Sequence, residues 1–136
     1  MRKVLTVLAA AALALLLVAC SPEESAHLTD VNAYRQANGL PALQWDEDVY
    51  NKAHGWSQHM ADAGVLSHSR LADGVPAGWH RLGENVAMAP TLDSAMTALE
   101  NSPPHRANLL NPGFDRIAIG VVQQKGMFWV TESFIG

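Results

Sequence analysis

The sequence predicts an α+β domain in which helices pack on a small sheet. Helical periodicity fills the first half of the folded region, strand alternation fills its last twenty or so residues, and the strand signals end in a hairpin rather than alternating with helices.

The first helix begins near His27. Leu28, Val31 and Tyr34 recur three apart, and Asn38-Gly39 closes the helix with a residue type suited to a left-handed cap. Gly39-Leu40-Pro41 turns the chain. Asp46 caps a second helix whose first turn carries Glu47 and Asp48, where negative charge favours the positive end of the helix dipole. Val49, Ala53, Trp56, Met60 and Ala63 form its apolar stripe, and Gly64 ends it. Residues 65–81 are rich in Gly, Ser, Asp and Pro without periodicity, an irregular connection of the length that is often functional. Leu82 to Ala89 reads as a short strand, and Pro90-Thr91 begins a third helix with Leu92, Met96 and Leu99 inward. Asn101-Ser102-Pro103-Pro104 breaks that helix, and His105 to Leu110 supplies one more turn. Ile117, Ile119 and Val121 alternate with smaller residues, and Gln124-Lys125-Gly126 turns the chain into a last strand from Phe128 to Phe134.

Arg2 and Lys3 precede an almost unbroken run of Leu, Ala and Val that ends at Cys20. That pattern is a secretory signal, shorter than the roughly 20 apolar residues of a spanning helix. Leu17-Val18-Ala19-Cys20 has the form of a bacterial lipobox, so residues 1–19 are expected to be removed and Cys20 lipidated, with residues 20–26 as a polar tether to the membrane. Cys20 is the only cysteine among 136 residues, so the domain is held by packing without an internal disulfide. Removing Arg2 and Lys3 leaves seven basic residues against 13 acidic ones, a formal charge of −6 with no Lys/Arg run, which argues against a nucleic-acid partner.

Three short motifs carry the candidate chemistry: Ser67-His68-Ser69, Gly83-Glu84-Asn85 and Ser102-Pro103-Pro104-His105-Arg106. Two neutral imidazoles can each give a nitrogen to zinc at about 2.0–2.1 Å, and a carboxylate can complete the shell or orient a bound water. The same residues can instead hold one another in a hydrogen-bonded cluster, and Glu84 can fix backbone amides at the strand entry. The other histidines have weaker claims: His54 and His59 lie off the apolar stripe and read as solvated, and His27 falls beside the tether. Arg106 reads as structural, and Trp45, Trp56 and Trp129 as packing.

In this order, together with Val31-Asn32-Ala33-Tyr34-Arg35, Asn38-Gly39-Leu40, Leu43-Gln44-Trp45-Asp46 and the Ile117–Gly120 strand, these motifs resemble the CAP superfamily. This is the family of cysteine-rich secretory, antigen 5 and pathogenesis-related 1 proteins, whose common unit is the SCP domain. The resemblance runs from about residue 28 to 136 and implies a three-layer α-β-α sandwich with a small antiparallel sheet and a cleft lined by two histidines and up to two acids. It places His68, Glu84 and His105 there, the candidate ligands for zinc or another divalent metal; Trp79 and His80, side by side on the irregular loop, are read from the residues themselves as candidates for the cleft rim. The family's further acid, on the helix before the last histidine, has no motif match here: that helix offers only Asp93 and Glu100.

No HExxH helix, Gly-x-Ser-x-Gly elbow or catalytic cysteine is present, so no catalytic residue is assigned. The expected function is a lipid-anchored extracytoplasmic binding module for a small ligand, an envelope component or a partner. The alternatives are a metal-dependent hydrolase of the cell envelope and an interaction domain without a ligand.

Overall fold

The computed structural model describes residues 20–136, so the expected signal segment lies outside the described residues. The elements follow the order α1 (Pro22–Ala37), β1 (Gln44–Trp45), α2 (Glu47–Ala63), β2 (Leu82–Ala89), α3 (Leu92–Asn101), α4 (Pro103–Leu109), β3 (Arg116–Gln124) and β4 (Met127–Ile135). The four strands form one sheet in the order β1-β3-β4-β2. The β3–β4 and β2–β4 pairs are antiparallel as expected, while two-residue β1 adds a parallel edge that hydrophobic patterning could not reveal. Helix α2 covers one face of the sheet, and α1, α3 and α4 cover the other. The layers are therefore α-β-α. Among the described residues, no helix is long and apolar enough to cross a membrane.

Helix α1 corrects the expected tether. It begins at Pro22, with Ser21 accepting from the Glu24 amide and the Glu24 carboxylate accepting from the Ser21 amide, a reciprocal capping box. Glu24, His27, Val31 and Arg35 lie at helical spacing and are all buried, so the inner face of α1 is largely polar. That composition hid it from a search for apolar periodicity. Each of the three polar side chains is repaid by hydrogen bonds, as buried polar groups must be. Glu24 Oε1 also accepts from the Val121 amide (3.1 Å) and meets His54 Nδ1 (2.9 Å). The Arg35 guanidinium donates to the carbonyls of Pro41, Leu109 and Asn111 at 2.8–3.1 Å, joining α1 to the turn after it and to the end of α4.

Helix α2 is capped by Asp46 and stopped by Gly64 in the left-handed region, both as expected. Its buried face is Val49, Ala53, Ser57, Met60 and Ala61; of the expected stripe, Trp56 is half-buried and Ala63 is exposed. Ser57 Oγ donates to the Gly120 carbonyl at 2.8 Å. Gly120 is required there, since a Cβ at this position would collide with the backbone of Ala53 and His54. The β3–β4 turn is tight, with Lys125 and Gly126 at φ 51° and 75°, the pair of positive values that a type I′ hairpin needs.

Burial, then the neighbouring Glu24 carboxylate, pushes the Tyr50 phenol up to about 12. An unfolded tyrosine ionises near 10, so above that pH the unfolded chain gives up its proton first and folding stability falls until the pH passes about 12. Urea-unfolding midpoints of the wild type and Tyr50→Phe between pH 9 and about 11.5 are expected to converge at the lower pH and to decline less steeply in the variant.

Candidate functional site

The pleat of β2 sends neighbouring side chains to opposite faces of the sheet. Glu84, opposite Ser133 of β4, points to the same face as Val86, which packs with Met60 and Trp129 under α2. Asn85, opposite Glu132, points to the face shared with Ala87 and Val130 under α1 and α3. The Gly-Glu-Asn motif thus serves two separate hydrogen-bonded clusters.

On the α2 face, the Glu84 carboxylate is 1% exposed and is wrapped by the irregular loop. Its Oε1 accepts from the Ser69 amide (2.9 Å) and meets His68 Nδ1 (2.9 Å), while its Oε2 accepts from the Ser69 hydroxyl. The loop is further fixed where the Trp56 indole donates to the Ser67 carbonyl at 2.8 Å. Lys52 Nζ donates to Ser69 Oγ (3.0 Å) and to the Arg70 carbonyl (2.7 Å). Burial lowers the Lys52 ammonium's affinity for its proton, against an opposing pull from Glu84 and Asp73. His68 itself is 60% exposed, so a buried carboxylate fixes the inner nitrogen of a solvent-facing imidazole and turns Nε2 outward. His68 lies at a hollow of about 420 Å³ lined also by Lys52, Trp56, Ser69, Arg70 and Asp73.

On the opposite face, His27 Nε2 meets Glu132 Oε1 at 2.7 Å, with both side chains fully buried. Glu132 Oε2 accepts from Asn85 Nδ2 (2.9 Å), which also donates to the His105 carbonyl (3.1 Å). Asn108 donates to Asn85 Oδ1 (2.9 Å) and to the Glu84 carbonyl (3.2 Å). His27 Nδ1 finds no partner among the described residues. His27, expected only to lie beside the tether, instead forms a fully buried hydrogen-bonded pair with Glu132 of β4. The readable signal was the spacing Glu24, His27, Val31, Arg35, together with Glu132 alternating with Val130 and Phe134 on one strand face. His54 keeps 42% exposure yet is also the partner of buried Glu24, and His59, exposed as expected, stacks on Trp56 with ring centroids 4.5 Å apart.

The expected His68/Glu84/His105 triad is thus brought together only in part. His68 and Glu84 bond to each other. His105 Nδ1 instead meets Ser102 Oγ at 2.6 Å, and its ring lines a different groove with Leu66, Met88 and Leu99. Among the described residues, no group of three His, Cys, Asp or Glu side chains is placed to hold a metal ion. Glu84 has both oxygens engaged by the loop, so this donor set does not fit a three-ligand zinc centre. Trp79, expected on the cleft rim, lines a separate hollow with Asp46, Val75 and Arg116, and the His80 amide is tied to the Gly136 carbonyl at 2.7 Å. Trp56, assigned to packing, is the aromatic beside His68.

The arrangement can accept or donate one hydrogen bond through His68 Nε2 and can present positive charge from Lys52 and Arg70. Ser69 is not a nucleophile for His68, because its hydroxyl is directed to Glu84.

An α-β-α sandwich with a carboxylate-anchored histidine on its irregular loop defines the class of domain. Residues 28–133 match the Cysteine-rich secretory protein family, CAP, and the chain belongs to it. It is 37% identical over 114 residues to "Uncharacterized protein YkwD" of Bacillus subtilis (strain 168), an alignment covering 77% of this chain and 44% of that protein. An extracellular protein containing a SCP domain from Bacillus anthracis str. Ames superposes with a TM-score of 0.73 at 30% identity, over 83% of this chain and 40% of that one. NaASP2 with Zn2+ superposes with a TM-score of 0.61 at 13% identity, over 84% of this chain and 80% of that one, and shares the fold. The chain spans less than half the length of these Bacillus proteins.

Removing Glu132 strands two buried donors, His27 Nε2 and Asn85 Nδ2, so Glu132→Ala is expected to cost about 1–3 kcal/mol for each of them. Glu84→Ala frees donors that water can reach, and about 1–3 kcal/mol is expected. Urea denaturation followed by circular dichroism measures both; a smaller loss for Glu132→Ala than for Glu84→Ala would contradict the assignment.

Proposed function

We propose that this chain is an extracytoplasmic CAP-domain binding module, anchored by lipid at Cys20, whose ligand occupies the hollow beside His68. The observation that carries the reading is the His68–Glu84 pair. A carboxylate that is 1% exposed holds an imbalanced partner, an imidazole 60% exposed, in one orientation at the mouth of a hollow of about 420 Å³. That size falls within the roughly 300–1,000 Å³ of small-molecule sites. The Lys52 ammonium and the Arg70 guanidinium outnumber Asp73 among its lining charges, and Trp56 supplies an apolar wall. The ligand chemistry is therefore an anionic group, carboxylate or phosphate, on an apolar body, as an envelope component would offer.

Two experiments test the two halves. Titration of the purified protein with inorganic phosphate, followed by NMR, is expected to move the His68 and Arg70 resonances saturably. Arg70→Ala, which removes an exposed charge, is expected to weaken the effect on the order of threefold. Shifts centred elsewhere, or unaffected by Arg70→Ala and His68→Ala, would sink the site.

The anchor rests on Leu17-Val18-Ala19-Cys20 and on an α1 that starts only two residues later. Cys20→Ser is expected to move the expressed protein from the membrane fraction to the soluble extracytoplasmic fraction. Retention in the membrane would remove the lipid from the proposal.

A further inference from the structure

Strand β2 is one of the two edge strands of the sheet, and one side of its backbone lacks a neighbouring strand. The hydrogen-bond phase fixes which backbone groups face outward. Arg81 and Gly136 exchange both of their N–H···O bonds (2.8 and 2.9 Å), so in an antiparallel ladder the odd-numbered residues of β2 bond to β4 and the even-numbered ones face away. Glu84 conforms: its carbonyl points to the free edge and accepts from Asn108. Val86 and Met88 follow in the same phase, and among the described residues no hydrogen bond reaches their amides or carbonyls. A groove of about 260 Å³ runs along this stretch, with Leu66 of the irregular loop as one wall and Ala98, Leu99 and His105 of α3 and α4 as the other. Leu66 and Met88 are 46% and 44% exposed, high for side chains of their size, and no acidic, Lys or Arg side chain lines the groove.

We propose that this groove binds an extended, uncharged polypeptide segment of a partner protein, which adds as a fifth strand beside Val86 and Met88. Main-chain bonds to these two residues would supply the affinity. Alternate side chains would fall against Leu66 and Met88 on one face and against Ala98 and Leu99 on the other. The recess selects a single extended chain over a second copy of this domain, because the walls that flank β2 would collide with the same walls of a copy approaching edge to edge. Apolar lining selects a neutral segment over an acidic or basic one. This site is distinct from the hollow at His68.

The probe is a fluorescein-labelled hexapeptide alternating Val and Thr, titrated into the purified full-length protein and followed by anisotropy. Saturable binding is expected. N-methylation of the peptide amides in one alternate phase should weaken it by roughly tenfold or more, and methylation in the other phase should be tolerated, since only one phase faces β2. Ala98→Arg, a change at an exposed helix position, should weaken binding similarly, whereas His68→Ala should leave it unchanged and so separates this site from the hollow. Absence of saturable binding, equal tolerance of methylation in both phases, or indifference to Ala98→Arg would overturn the proposal. So would a concentration-dependent dimer in sedimentation that Ala98→Arg abolishes, which would assign the edge to a second copy.

Discussion

A carboxylate removed from water must be given donors or a counter-charge, and this constraint is met at three glutamates that tie together otherwise separate parts of the chain. Glu24 joins the start of α1 to α2 through His54 and to β3 through the Val121 amide. Glu84 gathers the irregular loop onto β2. Glu132 joins β4 to α1 through His27 and to β2 through Asn85. Each glutamate is met by one histidine, which can supply an N–H whether it is neutral or charged. In a domain whose one cysteine has no partner, these pairs bridge sequence separations of 16 to 105 residues. Apolar packing gives the bulk of the stability, and the pairs specify which loop and which helix lie where.

The same constraint explains why the site is narrower than the motifs imply. Adjacent residues of a strand cannot share a face, so a Glu-Asn dipeptide in β2 supplies one side chain to each side of the sheet. Asn85 spends both amide hydrogens and its carbonyl oxygen inside the α1 face, and by holding the His105 carbonyl it positions the α4 backbone rather than the His105 ring. The ring then turns to Ser102. What remains on the loop face is a histidine with a buried support and an open outer nitrogen. Such a group binds and orients; proton transfer from it would further require a reacting atom held at Nε2, for which the neighbouring hydroxyl of Ser69 is already committed.

The sequence made the larger features legible because they rest on short-range rules. Asp46 and Thr91 cap helices as their positions indicate, Gly64 stops α2, and Lys125-Gly126 makes the hairpin. The start of α1 was misread because its polar side chains were assigned to solvent. Glu24 was placed in the tether and His27 at its border because both are polar and lie before the first apolar repeat, yet with Val31 and Arg35 they keep helical spacing. Their partners lie on α2, β3 and β4, far along the chain, and only tertiary structure reveals that pairing. Strand β1 was missed for a different reason: two residues are too few to carry a period. His68 with Glu84 came through because both sit in motifs, whereas the Lys52 and Trp56 walls of the hollow are ordinary helix positions without any local mark.

Strand β2 is where these arguments meet. Its inward bonds are made by residues 83, 85, 87 and 89 to β4, its side chains serve one cluster on each face, and its outer backbone is held at Glu84 by Asn108 but open at Val86 and Met88. A free edge on a mobile strand would have to be ordered by whatever bound it, at a cost in conformational entropy. Here Glu84 and Asn85 are pinned from both faces one turn of the pleat before the open stretch, and Val86 and Ala87 are themselves buried at 5% and 6% exposure. The edge is therefore already in strand geometry, so an arriving chain bears the cost of ordering only itself. The buried carboxylates that set loop and helix in place thus also hold this open edge in strand geometry.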